Sequence, residues 1–364
     1  MIYFPTSNNM SLAKSRIRHF LFFASLLSVL VGCAMEMNNT DNPSSVAISP
    51  INFNALFVVN GETGSLSVIN AEANELAGTI SFKNASFPHH IALNGDRSDL
   101  SLAIPGMDLS AGHESSGSHG MMMGSVLVLD AATGKTIVSR MLDGPNHNAA
   151  FSPDGKEIWT SQMTMPGKIL VLDATTLKTK QSIDAGDMPA EVTFSKDGKY
   201  AFAANGMTNN VTVMDVASKA VVKTIPVGSN PVGAWQGNDG IMYVDNETGK
   251  SITAIDASSL EIVRTYNLGF MPGMAATAPS GELWVTDSEN GKVAFYAAGA
   301  NTKTGELPTG TGAHGIAFSS DGKTAYISNQ AAGTLSIIDI SSKTVAKTLT
   351  VGAKPNGMVF RMKP

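Results

Sequence analysis

The sequence has a single cysteine in 364 residues, which excludes an intramolecular disulfide, a cysteine-based zinc site and a c-type haem attachment. Basic charge is also scarce. The formal net charge is −5 at pH 7, so the field that neutralises phosphates is missing, and we predict no nucleic-acid partner. Charged residues make up only 15%, which is typical of β-rich proteins. A Gly-x-Ser-x-Gly nucleophile motif and a phosphate-binding glycine loop are absent, so neither motif supports an enzyme assignment.

The N-terminal region has the pattern of a targeting segment. Basic residues at 14, 16 and 18 precede the apolar run FLFFASLLSVLV at 20–31. This run is too short for a helix that spans about 30 Å of hydrocarbon. It ends in LVGC at 30–33, which resembles a bacterial lipobox with Cys33 as the lipidated residue. The alternative is an ordinary secretory signal followed by an unrelated cysteine.

The lipobox resemblance implies a domain organisation and a location. Residues 1–32 are then a signal peptide that is removed, and residues 33–45 are a lipidated cysteine with a flexible polar tether. Ala34 stands where an aspartate favours retention in the inner membrane, so the resemblance implies the outer membrane, with the protein facing the periplasm. We therefore predict a monomer in the bacterial cell envelope that is attached to the membrane through the lipid on Cys33.

The rest of the chain is built from a repeat. A turn glycine recurs at 155, 198, 240, 281 and 322, at spacings of 43, 42, 41 and 41 residues. Each unit has four short runs rich in β-branched residues, separated by Gly, Asn and Asp, which predicts strands and turns. Counting back along the chain gives seven such units. We therefore predict an all-β fold over residues 46–364, a seven-bladed β-propeller of four-stranded antiparallel blades.

Several segments carry a family resemblance. AFAAN at 201–205, MYVDN at 242–246, and AYISN at 325–329 with LSIID at 335–339 resemble the Tyr-Val-Thr-Asn (YVTN) propeller repeat. The resemblance implies the propeller fold but little about function, because related propellers serve as scaffolds, cofactor holders, lactonases and metal carriers. We predict that residues 356–360 close the ring as the innermost strand of blade 1, with residues 46–49 as the competing segment.

Antiparallel pairing places the connections between blades on one face of the ring, here called the top face. Aligned on their proline, three of these connections have histidine at the same position, namely His89, His147 and His314. Equivalent positions point to one axis, so these imidazoles are predicted to surround the mouth of the central channel. Three convergent imidazoles are a competent set of ligands for zinc or copper. His90 and Glu191 lie one residue further on, and face the other side of the strand unless the backbone turns there.

An insertion at about 104–124 in blade 2 is rich in histidine and methionine and also lies on the predicted top face. Thioether sulfur is a soft ligand suited to Cu(I), so the combination favours copper over zinc. The insertion could equally lack a fixed structure. The additional candidate ligands are His113, His119, Met107, Met121, Met122 and Met123 in the insertion, and Met163, Met165, Met188, Met207 and Met271 elsewhere on the same face.

These patterns lead to a functional hypothesis with alternatives. We predict a propeller that binds copper, or zinc, for sequestration, delivery or sensing, with a periplasmic metal-handling or envelope protein as a further partner. Exposed methionines can also form an adaptable protein-binding surface, so an interaction scaffold is the alternative. A propeller enzyme, either a lactonase or a haem d1-type oxidoreductase, ranks below both. An aspartate that recurs after the third strand of five units is predicted to cap a turn.

Overall fold

The computed structural model describes residues 42–110 and 123–363. Within these ranges every regular element is a β-strand, and the strands form seven antiparallel sheets. Each sheet contacts its neighbours around a ring as the blade of a propeller, so the predicted all-β, seven-bladed fold is confirmed. No helix in the described ranges is long and apolar enough to cross a membrane.

The first four blades follow the chain with one exception, the closing strand of blade 1. Blade 1 consists of β1 (Ser44–Ser45), β2 (Ala55–Asn60), β3 (Ser65–Asn70), β4 (Glu75–Lys83) and β29 (Pro355–Arg361). Blade 2 consists of β5 (Ile91–Leu93), β6 (Asp99–Ile104), β7 (Ser125–Asp130) and β8 (Thr136–Met141). Blade 3 consists of β9 (Ala149–Phe151), β10 (Glu157–Gln162), β11 (Lys168–Asp173) and β12 (Thr179–Asp184). Blade 4 consists of β13 (Pro189–Phe194), β14 (Tyr200–Asn205), β15 (Asn210–Asp215) and β16 (Ala220–Pro226).

The last three blades have the same four-stranded order. Blade 5 consists of β17 (Pro231–Gln236), β18 (Ile241–Asn246), β19 (Ser251–Asp256) and β20 (Glu261–Asn267). Blade 6 consists of β21 (Pro272–Thr277), β22 (Leu283–Asp287), β23 (Lys292–Tyr296) and β24 (Lys303–Pro308). Blade 7 consists of β25 (Ala313–Phe318), β26 (Thr324–Asn329), β27 (Thr334–Asp339) and β28 (Thr344–Thr350).

The C-terminal strand closes the ring. β29 pairs with β2 from Ala55 opposite Arg361 to Asn60 opposite Pro355, and thereby becomes the innermost strand of blade 1. The competing segment, residues 46–49, does not take that place, because it follows β1 along the outer edge of the same blade, where Ser45 pairs with Phe82. The end of the predicted tether is therefore part of a strand, while Cys33 and the leader lie outside the described residues.

The hydrophobic core lies between the blades. Leu66 of blade 1 and Leu100 and Leu127 of blade 2 belong to one fully buried cluster, and similar clusters join the other neighbouring blades. The second and third strands of each blade are buried almost throughout, whereas the outer strand is largely exposed. Burial on both faces explains why the inner strands are rich in Val, Ile, Leu and Ala.

The recurring aspartate caps the turn between the third and fourth strands. Asp256 accepts hydrogen bonds from the Ser258 hydroxyl at 2.7 Å and the Ser259 amide at 2.8 Å, and these bonds lower the pKa of Asp256 to about 2. Serine or threonine plays the same part beside the other members of the series, which are Asp130, Asp173, Asp215 and Asp339. The series therefore stabilises the fold, as the sequence predicts.

A bulge recurs at the start of the innermost strand. In blade 4, Pro189 pairs with Asn205 and Val192 with Ala203, so three residue steps on one strand oppose two on the other. The same shift occurs in β21, β25 and β29. An extra residue at a bulge breaks the alternation of side chains, so consecutive residues after the proline can both face the central channel.

Candidate metal centre

Two of the predicted histidines meet in the central channel. His89 precedes β5 in blade 2 and His147 precedes β9 in blade 3, and their Nε2 atoms are 3.0 Å apart. Both residues are buried, with 3% and 1% of their surfaces exposed. The turn before His89 is set by Phe87, which has a left-handed φ of 55°, next to Pro88. The ring geometry therefore brings together imidazoles that are 58 residues apart in the sequence.

Glu191 and His90 complete the cluster. Glu191 Oε1 is 3.0 Å from His147 Nδ1 and 3.2 Å from His90 Nε2. The position of His90 depends on Gly357 of blade 1, because a Cβ at residue 357 would lie 2.6 Å from His90 Nδ1. One nitrogen from each of His89, His90 and His147 lies within 4.8 Å of the others, which makes them a candidate metal-binding group. Glu191 lies within the bulge of β13, and at His90 two residues likewise oppose one, because Ala103 bonds to both the His89 amide and the His90 carbonyl.

His314 occupies the fringe of this cluster. Its ring centre is 6.1 Å from that of His89 and 6.3 Å from that of His90. The predicted trio of primary ligands was His89, His147 and His314, whereas the compact trio in the structure has His90 in place of His314. The sequence analysis left open whether the backbone turns at His90. In the structure Ala103 accepts a hydrogen bond from the His89 amide at 2.9 Å and donates one to the His90 carbonyl at 3.0 Å, so two residues oppose one there and His90 joins His89 in the cluster.

Two buried carboxyl groups, Glu191 and Asp245, lie in or beside the cluster. Burial raises the pKa of Glu191 well above its ordinary range, and the nearby carboxylate of Asp245 raises it further. Burial, together with Glu247, also raises the pKa of Asp245, to about 7. Asp245 Oδ1 accepts a hydrogen bond of 2.8 Å from Trp235 Nε1, and the Trp235 ring lies 5.6 Å from that of His90. A cation held by the imidazoles would relieve this unfavourable burial.

The sequence analysis missed Asp245 and Trp235. Trp235 lies on the innermost strand of blade 5, two residues after Gly233, and a Cβ at residue 233 would come within 2.3 Å of both the indole and the Asp245 carboxylate. The sequence signal that points to them is Gly233, because a glycine at this position in the channel leaves room for the large side chain of Trp235. A buried carboxylate opposite an indole N–H then follows from the need to satisfy both groups.

The orientation of the Asn356 amide decides what lies between His89 and His147. The Asn356 Nδ2 atom contacts His89 Nδ1, while Asn356 Oδ1 has no hydrogen-bond partner among the described residues. In this orientation the amide donates to His89 Nδ1, His89 Nε2–H donates to His147 Nε2, and His147 Nδ1–H donates to Glu191. A single proton then joins the two Nε2 atoms.

Rotation of that amide by half a turn would allow both Nε2 atoms to face a metal ion. Oδ1 of Asn356 then accepts from His89 Nδ1–H, so that both Nε2 atoms present lone pairs to each other. Two bonds of about 2.0–2.1 Å at a tetrahedral metal separate their nitrogens by about 3.4 Å, close to the 3.0 Å observed between the Nε2 atoms. Glu191 would fix the tautomer of His147, as carboxylates do behind metal-binding imidazoles. The residues present therefore fit a transition metal.

The predicted methionine ligands separate into distinct environments. Met107, Met163 and Met188 pack with Leu109 in one small apolar cluster. Met165 and Met207 are exposed, at 67% and 62% of their surfaces. Met271 lines a separate cavity between blades 6, 7 and 1, and the Met123 backbone lies against Gly106. His113, His119, Met121 and Met122 lie outside the described residues.

The described beginning of the insertion reaches across the top face. Met107 and Leu109 pack against the connections of blades 3 and 4, while Asp108 forms an ion pair with Lys354, which precedes the closing strand of blade 1. The insertion therefore contacts blades on both sides of the channel mouth.

The comparisons with known proteins agree on the fold. A family model described as a YNCE-like β-propeller matches residues 125–241, which confirms the propeller resemblance predicted from the repeats. No curated protein has a sequence that matches this chain.

Solved structures are similar over most of the chain. The periplasmic gluconolactonase of Pseudomonas aeruginosa is 18% identical, with a TM-score of 0.70 over 85% of this chain and 99% of that one. A dihydro-heme d1 dehydrogenase is 16% identical, with a TM-score of 0.61 over 87% and 79% of the two chains. Hydrazine synthase of Kuenenia stuttgartiensis is 19% identical, with a TM-score of 0.67 over 81% and 95%. Identities this low show a shared fold alone.

Proposed function

We propose that this protein binds a transition metal in its central channel, with His89, His90 and His147 as ligands and copper favoured over zinc. The observation that carries the proposal is the approach of His89 Nε2 to His147 Nε2 at 3.0 Å, with Glu191 behind His147 at 3.0 Å. Imidazole binds zinc and both common states of copper. The burial of the cluster suits sequestration, delivery or sensing of a metal better than turnover of a large substrate.

The cellular setting is part of the same proposal. The lipobox-like segment ending at Cys33 supports lipid attachment at the outer membrane, with the propeller in the periplasm. The gluconolactonase that shares the fold is described as periplasmic. A periplasmic metal-handling or envelope protein is then the natural partner for delivery.

Titration calorimetry with Zn(II), Cu(II) and Cu(I) tests the binding site. The purified protein should bind at least one equivalent of metal tighter than micromolar, and the His89→Ala/His147→Ala variant should bind one equivalent fewer. His90→Ala should weaken binding at this site far more than His314→Ala, because the His314 ring centre is more than 6 Å from those of His89 and His90. Equal effects of His90→Ala and His314→Ala would favour His89, His147 and His314 as the ligands. Unchanged metal binding in the double variant would contradict the proposal.

An interaction scaffold is the second candidate. It is favoured by the exposure of Met165 and Met207, whose flexible thioether side chains suit adaptable protein contacts. This function predicts that a partner is captured equally well with and without a chelator and is lost when both methionines become Ser. Capture that depends on added metal would instead support the metal site.

A further inference from the structure

A cavity on the top face brings together three methionines from different segments. It has a volume of about 450 Å³ and lies where blades 3, 4 and 5 meet. Met163 comes from the connection between β10 and β11, Met188 from the connection into β13, and Met207 from the connection between β14 and β15. Three thioether groups therefore border one space, although their positions span 44 residues of sequence.

The backbone holds these three segments together. Met188 N–H donates to Thr164 O at 3.0 Å, Gly206 N–H donates to Met188 O at 3.1 Å, and Met207 N–H donates to Asp187 O at 3.3 Å. The methionines also differ in exposure, since 62% of the Met207 surface is exposed but only 5% of that of Met163. The cavity is therefore a built feature of the fold that solvent can reach.

The chemistry of the lining selects a class of ligand. Apart from the methionines, the described lining residues are neutral. No carboxylate among them would hold a hard divalent cation, and no lysine or arginine would attract an anion. Thioether sulfur is soft and neutral, and its preferred partner among biological metals is Cu(I). The remaining lining residues are Ala190, Gly206, Asn209, Ser229, Asn230, Pro231, Val232 and Thr248.

The cavity adjoins the histidine cluster. Ala190 forms part of its lining, and the next residue, Glu191, contacts both His147 and His90. Adjacent residues of β13 thus border the two sites, Ala190 the cavity and Glu191 the histidine cluster. The two sites differ in ligand type, with sulfur at the accessible one and nitrogen at the buried one.

We propose that Met163, Met188 and Met207 form a separate Cu(I) site, from which the metal passes to the histidine cluster. The transfer exchanges sulfur ligands for nitrogen ligands and involves no change of oxidation state, because imidazole also binds Cu(I). The second half of this inference rests on the proposed function, whereas Cu(I) binding in the cavity stands by itself.

A triple leucine variant, Met163→Leu/Met188→Leu/Met207→Leu, tests the proposal on the whole protein. Leucine keeps the volume and apolar contacts of methionine but removes the sulfur. The matched control is Met165→Leu/Met271→Leu, which alters two top-face methionines outside the cavity. Cu(I) affinity is measured by competition with a chromogenic Cu(I) chelator, Ag(I) serves as a redox-inert substitute, and Zn(II) affinity is measured by calorimetry.

The triple variant should lose one equivalent of Cu(I) and Ag(I), with affinity at that site falling at least about tenfold, the smallest loss expected even for an outer-shell partner. The control should match the wild type, and Zn(II) binding should be unchanged in both. Wild-type Cu(I) and Ag(I) affinity in a folded triple variant would overturn the cavity site. His89→Ala/His147→Ala separates the two ideas, because it should remove Zn(II) binding while leaving Ag(I) in the cavity.

Discussion

The connections on the bottom face of the ring repeat the same residues from blade to blade, whereas those on the top face vary. On the bottom face, an aspartate that accepts a hydrogen bond from serine or threonine caps the turn after the third strand in five blades. On the top face, the connections into the innermost strands carry different residues at one equivalent position, which are His89, His147, Ala190, Val232, Gly273, His314 and Asn356. Repetition thus marks what each blade needs to fold, and departure from it marks the candidate site.

The top face is also uneven within itself. Blades 2, 3 and 4 contribute His89, His90, His147 and Glu191, which are buried and joined by polar contacts. Blades 5 and 6 place Gly233 and Gly273 in the corresponding region, and the first of these leaves room for Trp235. One side of the channel therefore supplies the candidate ligands, while the other supplies space and the Asp245 carboxylate.

The largest predicted effect separates the two faces directly. His89→Ala/His147→Ala should weaken Zn(II) and Cu(II) binding by more than about 100-fold, because it removes two nitrogen ligands and exceeds the loss of any outer-shell contact. Thermal stability should change far less than affinity. Asp256→Ala, on the bottom face, is the control and should bind metal like the wild type. Calorimetry measures both, and equal loss in the two variants would mean that unfolding explains the result.

A smaller effect is expected at Glu191. Glu191→Gln keeps the shape but removes the charge behind His147, so metal affinity should fall about 10- to 100-fold. A buried carboxylate with lysine partners is the matched control: Glu157 contacts Lys180 at 2.9 Å and Lys219 at 3.2 Å, and these ion pairs outweigh burial and lower its pKa. Glu157→Gln should reduce stability and leave metal affinity unchanged. The prediction fails if Glu191→Gln binds as tightly as the wild type.

The same two variants should differ in how their stability depends on pH. Because the pKa of Glu191 is raised in the folded state, that state holds its proton longer than the unfolded chain. Stability of the metal-free protein should therefore fall as pH rises above about 4.3, the ordinary pKa of glutamate. Glu191→Gln should flatten this decline, whereas Glu157→Gln should not. Urea unfolding at pH 5 and pH 8 measures the difference, and a steeper decline in Glu191→Gln would contradict it.

An increase in affinity is expected at Asn356. Asn356→Asp places an acceptor beside His89 Nδ1 in either orientation, which holds the proton on Nδ1 and frees the Nε2 lone pair. Metal affinity should rise by about tenfold, the scale of a good outer-shell partner. Asn356→Leu should lower it, since the tautomer of His89 is then unsupported. If Asp and Leu have the same effect, the amide does not control the tautomer.

The smallest effect belongs to the bottom face. Asp256→Ala removes the hydrogen bonds to Ser258 and Ser259, with an expected cost of about 1 kcal/mol in the free energy of unfolding. Its stabilising effect should be present above pH 4 and decline as the pH falls toward 2, because the pKa of Asp256 is lowered to about 2. Urea unfolding at pH 7 and pH 3 measures it. A loss larger at pH 3 than at pH 7 would show that the aspartate acts otherwise.

The fold was predictable because its determinants are local and repeated. The repeat asparagine shows this. Asn205 and Asn329 each donate to the hydroxyl of the third strand, to Thr212 at 2.9 Å and to Ser336 at 3.0 Å, respectively. Each contact joins residues seven apart, so it can be read from one segment of sequence.

The site was only partly predictable because its geometry depends on the ring. The register of the connections identified His89 and His147, since equivalent positions in a closed ring converge. It did not reveal that His90 displaces His314, because the bulge that turns His90 inward has no mark in the sequence. The space opened by Gly357 on blade 1, 267 residues further along the chain, is equally invisible before folding.

X-ray absorption at the metal edge tests the central claim most directly. The metal-loaded protein should show two or three imidazole nitrogens at about 2.0–2.1 Å from the metal, with the outer-shell scattering typical of histidine. His147→Ala should lose one of them. A first shell of oxygen atoms without imidazole scattering, or a spectrum unchanged by His147→Ala, would contradict a metal centre formed by His89, His90 and His147.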